Sequence, residues 1–331
     1  MKKITLGEGG ISITQLAFGA WAIGGWFWGG SNEKESVDAI EAAIDHGMTT
    51  IDTAPVYGFG QSEEWTGKAV KGKREKVQIL TKFGLRWDTK TSNLHFEKTK
   101  DNTGKELSIY RHGGKESIIR ECENSLRRLG THYIDLYQQH WPDTHTPVEE
   151  TMEALEILKT QGKIRAGGVS NYSFEQMAEA VNYFNLVSNQ VPYSMVKRDI
   201  EKSLIPWCRD NNKAILVYSP LQRGLLSGKI TRDYKFNEGD HRPENGYFKE
   251  PNLSEINQFL TEIKPVADQK NSTLAQLVIR WTLEQPGITC VLVGARNRQQ
   301  VLENLAASKI EITSGEMEFI NNKLNNLNLA L

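Results

Sequence analysis

Cysteine is scarce in this chain: three residues in 331, Cys122, Cys208 and Cys290, stand far apart and without the short spacings that ligate a metal. An odd, scattered set argues against a disulfide framework and predicts reduced thiols in a cytoplasmic protein. No uninterrupted apolar run is long enough to cross a bilayer, and Met1-Lys2-Lys3 opens a segment without the apolar stretch of a signal peptide. An excess of charge of one sign is also missing. The net charge of -1 leaves no basic footprint for nucleic acid or an anionic lipid surface, so neither is expected as a partner. The Gly-x-Gly-x-x-Gly turn of a Rossmann dinucleotide site is absent, since Gly24-Gly25 and Gly29-Gly30 have other spacings. No linker-like or low-complexity tract divides the sequence. That predicts one domain over 1–331, and nothing in the sequence sets an oligomeric state.

The composition, 38% hydrophobic and 24% charged, suits a soluble globular protein with a substantial core. Short β-rich runs at 16–21, 49–54, 77–83, 134–140, 164–170, 188–194, 214–220 and 289–295 alternate with helical patterns. Over 33–47, Val37, Ile40, Ala43 and Ile44 form one stripe and Gly47 supplies a stop; 117–130 repeats this with Ile118, Cys122, Leu126 and Leu129. Eight strands, each followed by a helix, predict an α/β fold: a single (β/α)8 TIM barrel. Residues 4–13 read as an N-terminal hairpin closing the barrel bottom, with Gly9-Gly10 as its turn. Polar insertions at 93–115 and 231–251 follow strand C-termini and are expected on the active face as lids or substrate walls. A final amphipathic helix is expected after Ser314.

Three of these runs bring an ionisable residue to the same point: Asp52, Lys82 and His140, with Tyr57 in a Pro/Gly-marked loop just beyond the first. Barrel strands present their C-terminal ends on one face, where functional groups gather. A free phenol, with a pKa of about 10, is a poor acid near neutral pH. A nearby ammonium such as Lys82 would favour the phenolate, and Asp52 would hold that ammonium in place. His140 could donate a hydrogen bond to a substrate oxygen that gathers negative charge. Taken singly, each has an ordinary explanation: a strand-end cap, a solvated side chain, a loop anchor. Together they make a proton-transfer site whose acid is a phenol, which is the chemistry of carbonyl reduction.

Two further features bear on ligands. Gly294-Ala295-Arg296-Asn297 ends the last strand and opens a helix, where barrels commonly place a phosphate. Trp21, Trp26, Phe27, Trp28, Trp87 and Trp141 gather at or after strand C-termini and predict an aromatic-walled pocket. Trp21 and Trp141 flank the catalytic strands and are the candidate substrate contacts.

The segments Asp52-Thr53-Ala54 with Tyr57-Gly58, Thr81-Lys82, and Leu136-Tyr137-Gln138-Gln139-His140-Trp141 resemble the catalytic tetrad of the aldo-keto reductase superfamily in order and context. The resemblance covers nearly the whole chain. Trp21-Ala22-Ile23-Gly24-Gly25 and Tyr57-Gly58-Phe59-Gly60-Gln61-Ser62-Glu63-Glu64 are most similar to its bacterial general-stress branch, implying a role in stress response. It implies Tyr57 as general acid, Lys82 and Asp52 as its tuners, and His140 orienting the carbonyl of a small-molecule substrate. It also implies NADP(H). Tyr218 would stack on the nicotinamide, Ser170, Asn171 and Gln190 would bind its carboxamide, and Ser219, Leu221 and Lys229 would surround the pyrophosphate. Gly294 and Arg296 would meet the 2′-phosphate end, with Gln300, Glu303 and Asn304 holding the adenosine. Some relatives, including potassium-channel β-subunits, carry Asn where this chain has His140.

The function expected is NADPH-dependent reduction of aldehydes or ketones. One alternative is a nucleotide-bound redox sensor or regulatory subunit with vestigial catalysis, which His140 argues against. Another is a phosphate-binding lyase or isomerase using Lys82 as a Schiff base.

Overall fold

The computed structural model describes residues 1–7, 10–91, 93–236, 240 and 242–331. Its strands in chain order are β1 (Lys3–Leu6), β2 (Ile11–Thr14), β3 (Leu16–Gly19), β4 (Thr50–Asp52), β5 (Gln78–Phe83), β6 (Leu85–Arg86), β7 (Leu94–Lys100), β8 (Glu106–Arg111), β9 (Ile134–Gln139), β10 (Ile164–Ser170), β11 (Ser188–Pro192), β12 (Ala214–Tyr218) and β13 (Cys290–Gly294). Eight of them close a parallel barrel in the order β10-β11-β12-β13-β3-β4-β5-β9. The fold is the (β/α)8 barrel that the alternating pattern predicts. Four barrel strands, β3, β4, β11 and β12, end two residues earlier than expected, and β9 and β13 one residue earlier, because the residues beyond leave the ladder to form loops. Asp52 is thus the last ladder residue of β4.

Alternation along each strand decides what meets inside. Ala17, Leu80, Leu136, Ala166, Ala214, Leu216, Cys290 and Leu292 form one interior cluster, joined from below by Leu6, Ile11 and Ile13 of the β1–β2 hairpin. That hairpin is the predicted one; Gly9 of its expected turn lies outside the described residues. Two residues further up each strand, the same inward face carries Lys82 after Leu80, Gln138 after Leu136, Gln190 after Ser188 and Tyr218 after Leu216. An apolar floor therefore supports a polar upper layer.

The outward faces pack on α1 (Glu33–Asp45), α2 (Gln61–Val70), α3 (Lys115–Leu129), α4 (Val148–Thr160), α5 (Phe174–Ala180), α6 (Leu204–Asp210), α7 (Asn252–Gln269), α8 (Leu274–Leu283), α9 (Arg298–Ala306) and α10 (Ser314–Asn325). Local chemistry sets their limits. The Asn32 side chain caps α1, Gly130 ends α3 in the left-handed region at φ 61°, and Thr313 and Glu316 form a capping box on α10.

The first insertion is a β-hairpin, β7–β8, extended by β6 into a three-stranded antiparallel sheet. Leu85, Leu107 and Ile109 pack it beside Tyr57 and Trp141, on the active face. The second insertion contains short turns at Arg242–Glu244 and Gly246–Phe248 and buries Tyr247 and Phe248. Its residues 237–239 and 241 lie outside the described ones.

Candidate active site

Lys82 is completely enclosed, and its Nζ donates to Asp52 Oδ1 at 2.6 Å and to the Thr53 carbonyl at 2.9 Å. Two of its three N–H bonds are thereby fixed. The ammonium lies 5.0 Å from the centroid of the Tyr57 ring. Asp52 is itself held from the other side: its Oδ2 accepts from Gln190 Nε2 at 2.7 Å and from Gln138 Nε2 at 3.4 Å. The His140 ring stands edge-on to Tyr57, 5.6 Å between centroids. The four residues expected to form a proton-transfer site therefore meet at one point.

The electrostatics differ in one respect from the sequence expectation. Lys82 was expected to lower the pKa of the phenol; in the structure Tyr57 lies well above the usual tyrosine value, raised by burial first and by the Asp52 carboxylate second. The reason is that Lys82 is already paired with Asp52, so its field is largely cancelled. Burial pulls Lys82 below the ordinary lysine value while Asp52 pushes the other way. His140 lies well below the ordinary histidine value because of burial, then Lys82, then His95. At neutral pH Tyr57 is a protonated phenol and His140 a neutral imidazole.

The next group forms a chain around the mouth. Ser170 Oγ donates to the Gln190 carbonyl at 2.8 Å; Asn171 Nδ2 donates to Ser170 Oγ at 3.1 Å and to the His140 carbonyl at 3.0 Å. Tyr218 OH donates to Asn171 Oδ1 at 2.8 Å. Asn171 (φ 62°) and Ser219 (φ 58°) both adopt the left-handed backbone that side chains rarely take, a strain common where a ligand is clamped. Leu221 packs on the core and Lys229 is exposed.

The third group sits at the start of α9. Asn297 caps the helix by accepting from Gln300 N, and Gln300 Oε1 accepts from Arg296 N at 2.8 Å. Asn304 Nδ2 donates back to the Gly294 carbonyl at 3.1 Å, and Glu303 is exposed. Arg296 Nη2 reaches across to the Gly30 carbonyl at 2.6 Å. Of the substrate candidates, Trp21 lies 6.2 Å from Tyr57, whereas Trp141 lies 5.2 Å from His95, on the hairpin side.

The sequence profile described as "Aldo/keto reductase family" matches residues 15–325. The chain belongs to this family. Aldo-keto reductase YhdN of Bacillus subtilis (strain 168) is 40% identical over 329 residues, 98% of this chain and 94% of that one. The NADH-specific methylglyoxal reductase of Escherichia coli (strain K12) is 38% identical, covering 96% of each chain. Among solved structures, the glycerol dehydrogenase AKR11B4 from Gluconobacter oxydans superposes with a TM-score of 0.87 at 36% identity, covering 98% of this chain and 95% of that one. An aldo/keto reductase from Klebsiella pneumoniae in complex with NADP and acetate gives 0.72 at 30% identity, with 97% and 95% covered.

In this aldo/keto reductase several site residues escaped sequence reasoning. Gln138 supports Asp52; a Gln pair inside a buried strand was the available signal. Gln138 points inward, whereas Gln139 accepts from Tyr172 OH on the outer side. Glu63 underlies the tetrad, accepting from Thr81 Oγ1 and Arg128 Nε, each at 2.6 Å. His95 and Arg111 come from the hairpin insertion: Arg111 Nε donates to His95 Nδ1 at 3.2 Å and lies over Trp141. No local pattern marked them.

Proposed function

We propose that this aldo/keto reductase reduces aldehydes or ketones with NADPH, residues 1–331 acting as one catalytic unit. The observation that carries the reading is the enclosed Lys82–Asp52 pair beneath Tyr57, with His140 facing the same ring. Neutral His140 donates a hydrogen bond to the carbonyl oxygen, and Tyr57, a protonated phenol, gives it a proton. As the phenolate forms, it has the Lys82 ammonium 5.0 Å from its ring centroid, acting with what the paired Asp52 carboxylate leaves of its field.

The residues around the mouth fit a nucleotide by their chemistry. Lys229 and Arg296 are exposed cations, α9 presents its N-terminus, and the exposed Gly294 leaves room above β13, where an added Cβ would meet only the Gly19 carbonyl at 3.9 Å. Ser170, Asn171, Gln190 and Tyr218 would hold the nicotinamide end, Ser219, Leu221 and Lys229 the diphosphate, and Arg296, Gln300, Glu303 and Asn304 the adenosine end. When bound, the nicotinamide supplies the hydride.

A Schiff base at Lys82 is disfavoured because the amine is enclosed and hydrogen-bonded twice. A vestigial sensor is disfavoured by the intact acid, its ion pair and His140. The test follows NADPH oxidation with aromatic aldehydes, methylglyoxal, diketones and sugars, in the parent and in Tyr57→Phe. We expect the variant to lose roughly 10²–10⁴ in kcat, the range for a positioned acid, with coenzyme affinity little changed. Retained activity in Tyr57→Phe would overturn the assignment.

A further inference from the structure

Arg223 is a cation with no side-chain hydrogen bond or ion pair among the described residues. It follows β12 in the loop that starts at Ser219, is partly buried, and its guanidinium lies 5.9 Å from the centroid of the Trp21 ring. Among the described residues no acceptor lies within hydrogen-bond or ion-pair reach of it. The neighbouring Asp240 is already engaged, with both oxygens accepting from Arg242 at 2.6–3.0 Å. Burial pulls Arg223 below the ordinary arginine value, with Tyr218 and Asp240 opposing and Arg242 adding to the shift. A guanidinium is rarely left desolvated without an acceptor, because that cost is not offset.

Three observations show that this placement is built. Gln222 and Arg223 adopt left-handed backbone (φ 46° and 55°), and Ser219 precedes them in the same region. Such residues persist only where their surroundings hold them. Arg242 Nη1 donates to the Arg223 carbonyl at 3.2 Å, and Gln222 Oε1 accepts from Ser194 Oγ at 3.2 Å, so the Arg223 carbonyl and the preceding side chain are both held. The Trp28 indole N–H, enclosed and without a hydrogen-bond partner among the described residues, lies in the same cluster, its ring 5.5 Å from that of Trp21. Trp21 is also the indole beside Tyr57. Two unmatched donors therefore stand around Trp21, the indole beside Tyr57.

We propose that Arg223 binds an anionic group of the substrate, so that the preferred substrates are apolar or aromatic carbonyl compounds carrying a carboxylate away from the reacting carbonyl. The inference rests on the reductase reading above and adds the substrate class to it. A planar guanidinium accepts a carboxylate through two parallel hydrogen bonds, and the aromatic wall takes the body of the molecule. Arg223 belongs to the Ser219–Lys229 loop assigned above to the diphosphate, but its guanidinium faces Trp21, the indole beside Tyr57; this favours a substrate carboxylate over the diphosphate of the coenzyme.

The test compares 4-carboxybenzaldehyde with 4-methylbenzaldehyde in the parent, Arg223→Gln and Arg223→Lys, and measures coenzyme dissociation constants for each. The parent should prefer the carboxylated aldehyde in kcat/KM. In Arg223→Gln the preference ratio should fall roughly 10- to 100-fold, the value of one charge-assisted contact, and Arg223→Lys should recover part of it. Titration of tryptophan fluorescence with 4-methylbenzoate and 4-methylbenzamide reads the same preference without turnover. A parent that reduces both aldehydes equally overturns this inference and leaves the reductase reading standing. A loss confined to coenzyme affinity overturns it too, assigning Arg223 to the diphosphate. A parent that oxidises no coenzyme with either aldehyde sinks the reductase reading, and the benzoate titration then decides for or against the anion site.

Discussion

Coenzyme choice turns on single residues. Arg296 stands exposed where β13 gives way to α9, with Nη2 on the Gly30 carbonyl at 2.6 Å. That contact admits two roles: a brace between two loops, or a guanidinium held ready for the 2′-phosphate that distinguishes NADPH. The relatives do not choose between the coenzymes, since one is named for NADH and another was solved with NADP. A charge-assisted hydrogen bond is worth about 1.5–3 kcal/mol, or roughly 10- to 150-fold in affinity. We expect Arg296→Ala to weaken NADPH by about that factor and to leave NADH nearly unchanged, measured as two dissociation constants by fluorescence titration. Equal losses would assign Arg296 to the brace.

Among the elements, the loop bearing Tyr57 packs backbone against backbone on the turn at Gly24, and the Asn102 side chain donates to its Gly58 carbonyl at 3.0 Å. Gly24 ends the short turn Ala22–Gly24, and a Cβ there would sit 2.7 Å from the Tyr57 carbonyl carbon and 2.8 Å from its oxygen. Gly58 faces the same contact from the other side, at φ 67°. Gly24→Ala must therefore move the segment that carries the acid. Overpacking of this kind costs about 1–3 kcal/mol. We expect a lower Tm together with a fall in kcat that exceeds any change in coenzyme affinity; Gly315→Ala, with open space at its Cβ, is the matched control. A normal kcat in Gly24→Ala would show that this contact does not position Tyr57. Elements of this kind differ in how far sequence discloses them. Barrel strands and helix stops followed from alternation, stripes and Gly positions. The β7–β8 hairpin did not, because its strands are polar, its register shifts twice, and its apolar residues find partners on other loops.

Over the whole molecule, buried titratable groups set the response to pH. His140 and His112 lie below the ordinary histidine value and His95 is lowered to about 4, burial leading in each case. Below about pH 6.5 the unfolded chain protonates these histidines while the folded one resists, so stability falls as pH drops. Glu121 acts in the opposite sense. Burial raises it to about 7, with Arg86, Gly84 N and Ser117 opposing. Its contribution is present at low pH and is lost as pH rises through that value. Urea melts between pH 7.5 and 5 should show a midpoint falling on acidification, and Glu121→Gln should steepen the fall by removing the opposing group. A midpoint that rises on acidification would refute the histidine assignment.

Sequence by itself determined the barrel, through eight apolar runs separated by helical stripes, and it marked Asp52, Tyr57, Lys82 and His140, because strand ends share one face. Tertiary structure decided what surrounds them. Gln190 reaches Asp52 across 138 positions of chain, and Trp26 Nε1 meets Thr99 Oγ1 across 73. Closure of the barrel creates these contacts, and no period of 2 or 3.6 residues encodes them. The state of the acid was likewise a tertiary matter: Lys82 alone would lower the phenol's pKa, but the Asp52 it pairs with, together with burial, leaves Tyr57 protonated. A charge read from sequence has a sign and a position along the chain; its effect depends on the counter-charge and the solvent it keeps after folding.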